Sequence, residues 1–330
     1  MKKIKIKYVG FWEDFNRERY FITRVLRKHF DVEICDDPDY IISSIFEDYH
    51  AYIYYPQIRI LCSGENYLPD LNLVDYAITP YPISLYDRCF HLPEGLREFD
   101  RNEYLTKKSK GEVKFDETIL STKTVFANFC THHQSEFNIR EDFFNELCKY
   151  KKVDSIGTYL NNTGVFVKLY DSKDEYQKKC KFSLCFESTS HDGFNTEKIT
   201  DAFYNDTIPV YHGDPHIGDI YNKKAFIDVS DYNSFEEAIE KIKQIDNDDK
   251  LYLDMLNEPV FNDPDYAIKL EKDLEEFVVN LFNQPIEKAK RRSEVYSVKN
   301  YEDYIKELKN NNSGLAKTKT FFKNKKWITL

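Results

Sequence analysis

Short apolar runs separated by stretches of helical period recur along most of this chain, and that alternation limits its fold more than any other feature. The opening KIKIKYVG alternates as a strand, and EDFNRERYFITRVLRKHF then carries Phe15, Tyr20, Phe21, Val25, Leu26 and Phe30 at near-helical spacing. DVEIC, DYIISSIF, RILCSGEN and VDYAITPY follow as further apolar runs. Strands interleaved with helices indicate a parallel sheet in an α/β domain. From about Gly95 to Glu117 the sequence turns charged and irregular, which reads as a linker or hinge. A second series starts at KTVFANFC and continues through IREDFFNELCKY, KKVDSIGT, KFSLCFE, TEKITDAFYN, TIPVYHG and AFIDVSDY. It closes on NSFEEAIEKIKQI, an amphipathic helix capped by Asn233 or Ser234. A chain of 330 residues is long enough for two domains. The expectation is an α/β fold with two Rossmann-like lobes facing a cleft. The N-terminal lobe spans 1–117 and the C-terminal lobe 118–285, with a basic aromatic tail over 286–330 that is helical or partly disordered.

A net charge of −10 argues against a nucleic-acid partner. The charge is uneven, because residues 285–330 hold 12 Lys and Arg against 5 Asp and Glu. Two readings of that tail stand. It is a solvated extension, or it is a basic arm making peripheral contact with an anionic membrane, worth about 1 kcal/mol per cation near lipid. Phe321, Phe322 and Trp327 would serve the second as interfacial anchors. Seven cysteines without a CxxC pair suggest neither a disulfide framework nor a zinc site, and point to a reducing compartment. MKKIKIKYVG lacks the apolar core of a signal peptide and no run reaches the length of a membrane span. The expected location is therefore cytoplasmic, or peripheral at the inner face of a membrane. The 25 Tyr and 25 Phe fill cores; aromatic rings also suit sugar faces.

Chemistry concentrates in KFSLCFESTSHDGFNTEKITDAFYNDTIPVYHG, residues 181–213. A strand closes on Glu187, a polar loop with a glycine follows, and TEK opens a helix. The carboxyl end of such a strand is where open α/β sheets bind ligands, and a helix N-terminus suits phosphate. Thr196 is placed as the cap, and Lys198 adds a mobile cation. Glu197 suits sugar hydroxyls, or positive charge developing at a reacting carbon. The competing reading is an ordinary helix start of TxE type. Glu65, in the Gly-Glu-Asn loop after RILCS, is a general base if partial burial raises its pKa, and otherwise a turn residue. Asp70, Asp75 and Asp87 read as braces of turns. Arg140, at a strand-to-helix junction, either clamps a phosphate bidentately or pairs with Glu141 or Asp142. His132 and His133 lack metal-ligand spacing and read as loop residues. The acidic triplets at 37–39, 246–248 and 263–265 match what chance gives among 57 acidic residues, so no metal is expected.

Beyond these local features, KFSLCFES, GFNTEKITDAFYNDTIPVYHGDP, SGENYLPDLNLVDYAITPYPISLYDRCF and VFANFCTHH with NIREDFFNELCKYKKVDSIG occur in the order seen in the alpha-1,3/1,4-fucosyltransferases. The chain resembles that family over about residues 55–285. The resemblance implies a GT-B architecture with the acceptor on the N-terminal lobe and the co-substrate GDP-L-fucose on the C-terminal one, an oligosaccharide acceptor carrying N-acetylglucosamine or glucose, and no cofactor or metal. It implies Glu65 as general base and Glu197 as the residue favouring the positively charged transition state. Arg140 and Lys198 would hold the donor diphosphate, with Thr196, Ser188, Phe194 and Glu187 around the donor. Ser188 and Phe194 stand where the family has asparagine and tyrosine, and His212 where it has tryptophan. These departures leave open another GDP-6-deoxysugar donor. A non-catalytic sugar-nucleotide or glycan-binding protein is the third reading. Neither acceptor residues nor oligomeric state follow from the sequence.

Overall fold

Ile4, Ile6 and Tyr8 are buried and alternate with Lys3, Lys5 and Lys7, whose ammonium groups pair with Glu33, Asp37 and Asp36. That period of two makes Lys3–Val9 the first strand, β1. The structure, a computed structural model, describes residues 1–46, 48–134, 138–167 and 170–324. β2 (Asp31–Ile34), β3 (Tyr40–Ser43), β4 (Ile58–Cys62), β5 (Tyr76–Thr79) and β6 (Cys89–His91) join β1 in a parallel sheet of order β2-β1-β3-β4-β5-β6. Every residue of β3, β4 and β5 is buried, as in a parallel sheet covered on both faces. β7 (Val125–Phe129), β8 (Val153–Ser155), β9 (Cys180–Phe186), β10 (Ile208–His212) and β11 (Ile227–Asp228) form a second parallel sheet, β11-β10-β9-β7-β8. In both sheets the strand order reverses beside the lobe's first strand, between β1 and β3 and between β7 and β9. This is the two-lobed GT-B architecture expected from the sequence.

Several helices depart from the sequence expectation. Helix α1 covers only Phe21–His29. The Asn16 side chain accepts the N–H groups of Glu18 and Arg19, which turns the chain and sends Phe15 and Tyr20 into an aromatic cluster instead of a first helical turn. The supposed linker contains helix α2 (Phe99–Ser109). Two of its charges are turned onto the second lobe: Arg101 pairs with Asp174 at 2.9 Å and with Asp201, and buried Lys108 reaches Asp206 at 3.1 Å. Helices α3 (Ile139–Cys148), α4 (Tyr170–Gln177), α5 (Glu197–Tyr204), α6 (Phe235–Asp246) and α7 (Asp249–Leu256) surround or flank the second sheet. Ser234 caps α6, accepting the Glu237 N–H, while the Glu237 carboxylate accepts the Asn233 N–H.

Helix α8 (Tyr266–Asn283) crosses back. Leu274, Val278, Leu281 and Phe282 pack into the core of the first lobe with Ile4, Leu26 and Tyr40. The stretch 118–285 thus gives its last helix to the other lobe. The tail is docked as well. After α9 (Ile286–Ala289), buried Asp75 accepts the N–H groups of Arg291 and Arg292 and pairs with the Arg292 guanidinium. Arg291 grips Asp87, so Asp75 and Asp87 anchor the tail rather than merely bracing turns. Helix α10 (Tyr296–Asn324) then lies on the first lobe through Glu302 on buried Arg59 at 2.9 Å, Tyr301 on Asp70 at 2.8 Å, and Lys309 on Asp48. Phe321 and Phe322 fall on its last turns; Trp327 lies outside the described residues. Among the described residues no helix is long and apolar enough to cross a membrane.

Candidate active site

The carboxyl ends of both sheets open into one cleft of about 550 Å³. Its second-lobe wall is built at the reversal between β7 and β9, the position where open α/β sheets take ligands. Glu187 follows β9 and extends its pairing to β10 through a 2.8 Å bond from its N–H to the His212 carbonyl. Its carboxylate turns inward, wholly buried. There it accepts the Thr196 N–H at 2.8 Å, the Thr196 hydroxyl at 2.9 Å and the Lys198 ammonium at 3.0 Å. Glu187 therefore lies beneath the wall and fixes the residues that form it. Thr196 occupies the N-cap position of α5, but its hydroxyl serves Glu187 and accepts Lys198 at 2.7 Å instead of closing the helix. The expected capping bond, in which this oxygen would accept a backbone N–H of α5, is absent: the hydroxyl points at Glu187 and its oxygen accepts the charged Lys198 donor instead. Burial works against the Lys198 charge; Glu187 and Glu197 outweigh it and raise the pKa. One ammonium proton of Lys198 remains unassigned among the described residues.

Arg140, in the first turn of α3, is buried. It turns away from Glu141 and Asp142, donating to the carbonyls of Glu187 at 3.0 Å and Phe186 at 2.9 Å, and to the Thr131 hydroxyl at 3.4 Å. Two of its five N–H groups thereby hold the fork on the end of β9 and a third holds it on Thr131 after β7, leaving two without a partner among the described residues. Glu197 lines the cleft half-buried. Burial would raise its pKa, but Lys198 and Lys173 hold the carboxyl well below the usual range. Ser188 is exposed on the wall, whereas the Phe194 ring is buried and stacked at 6.1 Å on Tyr81 of the first lobe. Just before it, Gly193 has φ +78°, and a Cβ there would lie 2.4 Å from Pro82 Cδ. Asn66 also crosses between the lobes, donating to the Thr189 hydroxyl at 2.7 Å.

On the first-lobe wall, the Ser63 hydroxyl accepts the Glu65 N–H at 3.2 Å and the Glu65 carbonyl accepts the Tyr67 N–H at 2.7 Å. This tight turn after β4 projects Glu65 into the cleft, exposed rather than partly buried. A second carboxyl on this wall, Glu94, was not singled out from the sequence. A Cβ on Gly64 would fall 2.0 Å from Glu94 Oε2, so the glycine makes the room Glu94 occupies. Glu94 pairs with Arg97 at 2.7 Å, and Arg97 donates to the Ser63 carbonyl at 2.5 Å. Burial pushes Glu94 up to about 7; Arg97 opposes this, and the charges of Glu197 and Glu65 add to it. Trp12 and Phe46 also reach the cleft, as do His132 and His133, which remain loop residues. Among the described residues no group of three or more His, Cys, Asp or Glu is placed to hold a metal. Within the acidic triplets, Asp37, Asp246 and Asp263 are paired with lysines.

The cleft thus sets a cationic, hydroxyl-rich cradle in one lobe against carboxylates in the other. Two family descriptions fit the chain in register with that division. "Alpha-(1,3)-fucosyltransferase FucT N-terminal domain" matches residues 6–95, and "Glycosyltransferase family 10 (fucosyltransferase) C-term" matches residues 120–259. The chain belongs to glycosyltransferase family 10. Among its relatives is the Helicobacter pylori alpha-(1,3)-fucosyltransferase FucT, 33% identical over 230 residues, covering 62% of this chain and 47% of that protein. The human 4-galactosyl-N-acetylglucosaminide 3-alpha-L-fucosyltransferase 9 is 32% identical over 125 residues, 36% of this chain and 32% of that one. This family 10 chain spans less than half the length of these curated relatives. A crystal structure of an alpha1,3-fucosyltransferase with GDP-fucose shares the fold at a TM-score of 0.65 and 24% identity, covering 84% of this chain and 91% of that one.

Seven of the eight residues singled out in the sequence meet in this family 10 cleft: Glu65, Arg140, Ser188, Phe194, Thr196, Glu197 and Lys198. The eighth, Glu187, supports them from below. Trp12 follows β1, Phe46 follows β3, and Glu94 and Arg97 follow β6; none was singled out from the sequence, because only the sheet order brings those three strand ends together.

Proposed function

We propose that the protein is an inverting fucosyltransferase. It moves L-fucose from GDP-β-L-fucose to a hydroxyl of an N-acetylglucosamine or glucose unit in an oligosaccharide, forming an α-1,3 linkage without a metal. Family membership supports the reaction class. The observation that carries the reading is the turn from β9 to α5, which gathers Lys198, Glu197 and the Arg140 guanidinium opposite Glu65. In the proposed step the acceptor oxygen attacks the anomeric carbon and Glu65 takes its proton. The bond from that carbon to the diphosphate oxygen breaks, and GDP leaves with the electron pair. Arg140 and Lys198 are already fixed by backbone carbonyls and Glu187. They neutralise the leaving diphosphate without reorganising, the kind of electrostatic support that usually dominates catalysis. Glu197, kept ionised by two lysines, faces the positive charge developing on the sugar. Thr196, Ser188 and Phe194 complete the donor side, and Glu187 acts as a positioning residue. Seven free thiols support a reducing, cytoplasmic setting.

GDP release from GDP-L-fucose, measured with N-acetyllactosamine, lactose or no acceptor and with and without EDTA, tests the reading. Acceptor-dependent release that survives EDTA is expected. Glu65→Gln should lower transfer about 10²–10⁴-fold, the typical worth of a general base, while GDP affinity stays. Lys198→Ala should weaken GDP binding. Wild-type-like transfer by the Glu65 variant would overturn its assignment. Release from a different GDP-6-deoxysugar, with none from GDP-L-fucose, would favour the alternative donor that Ser188 and Phe194 leave open. GDP binding with no release from any donor would favour a binding protein.

A further inference from the structure

The first lobe has its own strand-order reversal, between β1 and β3, and this opens on the same cleft with a surface made of aromatic rings. The turn after β1 supplies Phe11 and Trp12, and the turn after β3 supplies Ser44 and Phe46. Gly10, at φ +71°, lets the two turns close together, since a Cβ there would lie 2.6 Å from the Ser44 carbonyl oxygen. Phe11 is buried and stacked on Phe15 at 4.0 Å, with Tyr8 and Tyr20 edge-on at 5.4 and 5.3 Å. On this base stand Trp12 and Phe46, 5.1 Å apart and nearly perpendicular, 46% and 48% exposed. Large rings held this firmly, yet left open beside carboxylates, suit a ligand with an apolar face and a polar rim.

We infer that Trp12 and Phe46 form an acceptor subsite that takes an uncharged hexopyranose ring of the oligosaccharide. The C–H face of that ring lies on the aromatic pair while the hydroxyl to be modified reaches Glu65 on the same wall. The inference rests on the fucosyltransferase reading of the cleft, which puts the acceptor on the first lobe without naming its residues, and assigns two of them. A sugar fits because the opposite wall already offers the cations and hydroxyls suited to a nucleotide diphosphate. An uncharged sugar fits because Glu13 and Asp14, both exposed, directly follow Trp12, and exposed Glu65 shares the cleft. An anionic ring would meet like charge there.

Saturation-transfer NMR of N-acetyllactosamine on the full chain with GDP present tests this directly, without relying on turnover. Strong saturation of the ring protons is expected with wild type and with Trp12→Tyr, and its loss with Trp12→Ala and with Phe46→Ala. GDP affinity within twofold of wild type in each variant reports an intact second lobe. In the transfer assay Trp12→Ala should raise the acceptor KM at least tenfold and leave the GDP-fucose KM unchanged. No saturation with wild type, or alanine variants within twofold of it, would overturn the subsite. So would a sialylated acceptor bound as tightly as the neutral one. Should wild type bind the glycan through Trp12 but transfer no fucose, the activity falls and the subsite stands. Should it transfer fucose with an acceptor KM indifferent to both alanine changes, the activity stands and the subsite falls.

Discussion

Glu94 shows how a single glycine sets the charge state of a cleft. With no side chain on Gly64, the Glu94 carboxyl sinks against the backbone beside Arg97 and loses water, and its pKa rises to about 7. An unfolded glutamate titrates near 4.3. Between those values the folded chain binds more protons than the unfolded one, so the Glu94 contribution falls as pH rises through that window. Glu94→Gln should therefore remove part of the stability difference between pH 5 and pH 8, on the order of 2 kcal/mol. Urea midpoints at the two pH values read it, and an unchanged difference would refute the assignment. Gly193 is the second such position. Gly193→Ala strains a positive φ and meets Pro82, a cost of about 1–3 kcal/mol from the backbone alone. Transfer should fall more than GDP affinity, because the substitution pushes the two lobes apart at Pro82 and leaves the cradle around Glu187 intact. Equal losses of the two would argue against a lobe effect. What the sequence made legible at this scale is what one strand, loop and helix hold contiguously: Glu187, Thr196, Glu197 and Lys198. Glu94 and Trp12 were illegible because their neighbours come from distant strand ends.

Among the elements, α10 departs furthest from the solvated extension its composition suggests. Charge counting could not distinguish a free basic arm from cations already paired, and here Arg291, Arg292, Lys306 and Lys309 all meet acids of the docked tail or first lobe. Helix α2 is in part the same case, since Arg101 and Lys108 satisfy acids of the second lobe while Asp100, Glu103 and Lys107 stay in water. Glu302 is the hinge pin of the docking. Burial opposes its charge, but Arg59 and Lys306 hold its carboxyl down to about 2. The support it gives is complete above about pH 4.3 and fades as pH falls toward 2. Glu302→Ala leaves the buried Arg59 with backbone carbonyls alone and should cost about 2–3 kcal/mol, read as a shift in urea midpoint at constant slope. No shift would mean that α10 contributes little to the first lobe. A test of membrane contact should for the same reason truncate beyond residue 311, since removal of 286–330 would take Arg291 and Arg292 from buried Asp75 and leave it only the Arg59 N–H.

At the scale of the molecule, two α/β lobes were readable from the alternation of strands and helices, but their boundary was not, because α8 belongs in sequence to one lobe and in packing to the other. With α2 bound to the second lobe and α8 to the first, the connections run both ways and the lobes should unfold together. Excess GDP, at about 100 times its dissociation constant, should add about 2.7 kcal/mol to one shared calorimetric transition. Two transitions, of which GDP moves only one, would show independent lobes. The crossing of α8 also bears on how the chain is made. The sheet of the second lobe is complete once residue 228 has been synthesised, and its helices by 256. The first lobe, whose strands emerge from the ribosome earliest, still lacks Leu274, Val278, Leu281 and Phe282 at that moment. The half of the protein translated first is thus the half whose core closes last, and in the interval its unfinished apolar face is open to chaperones.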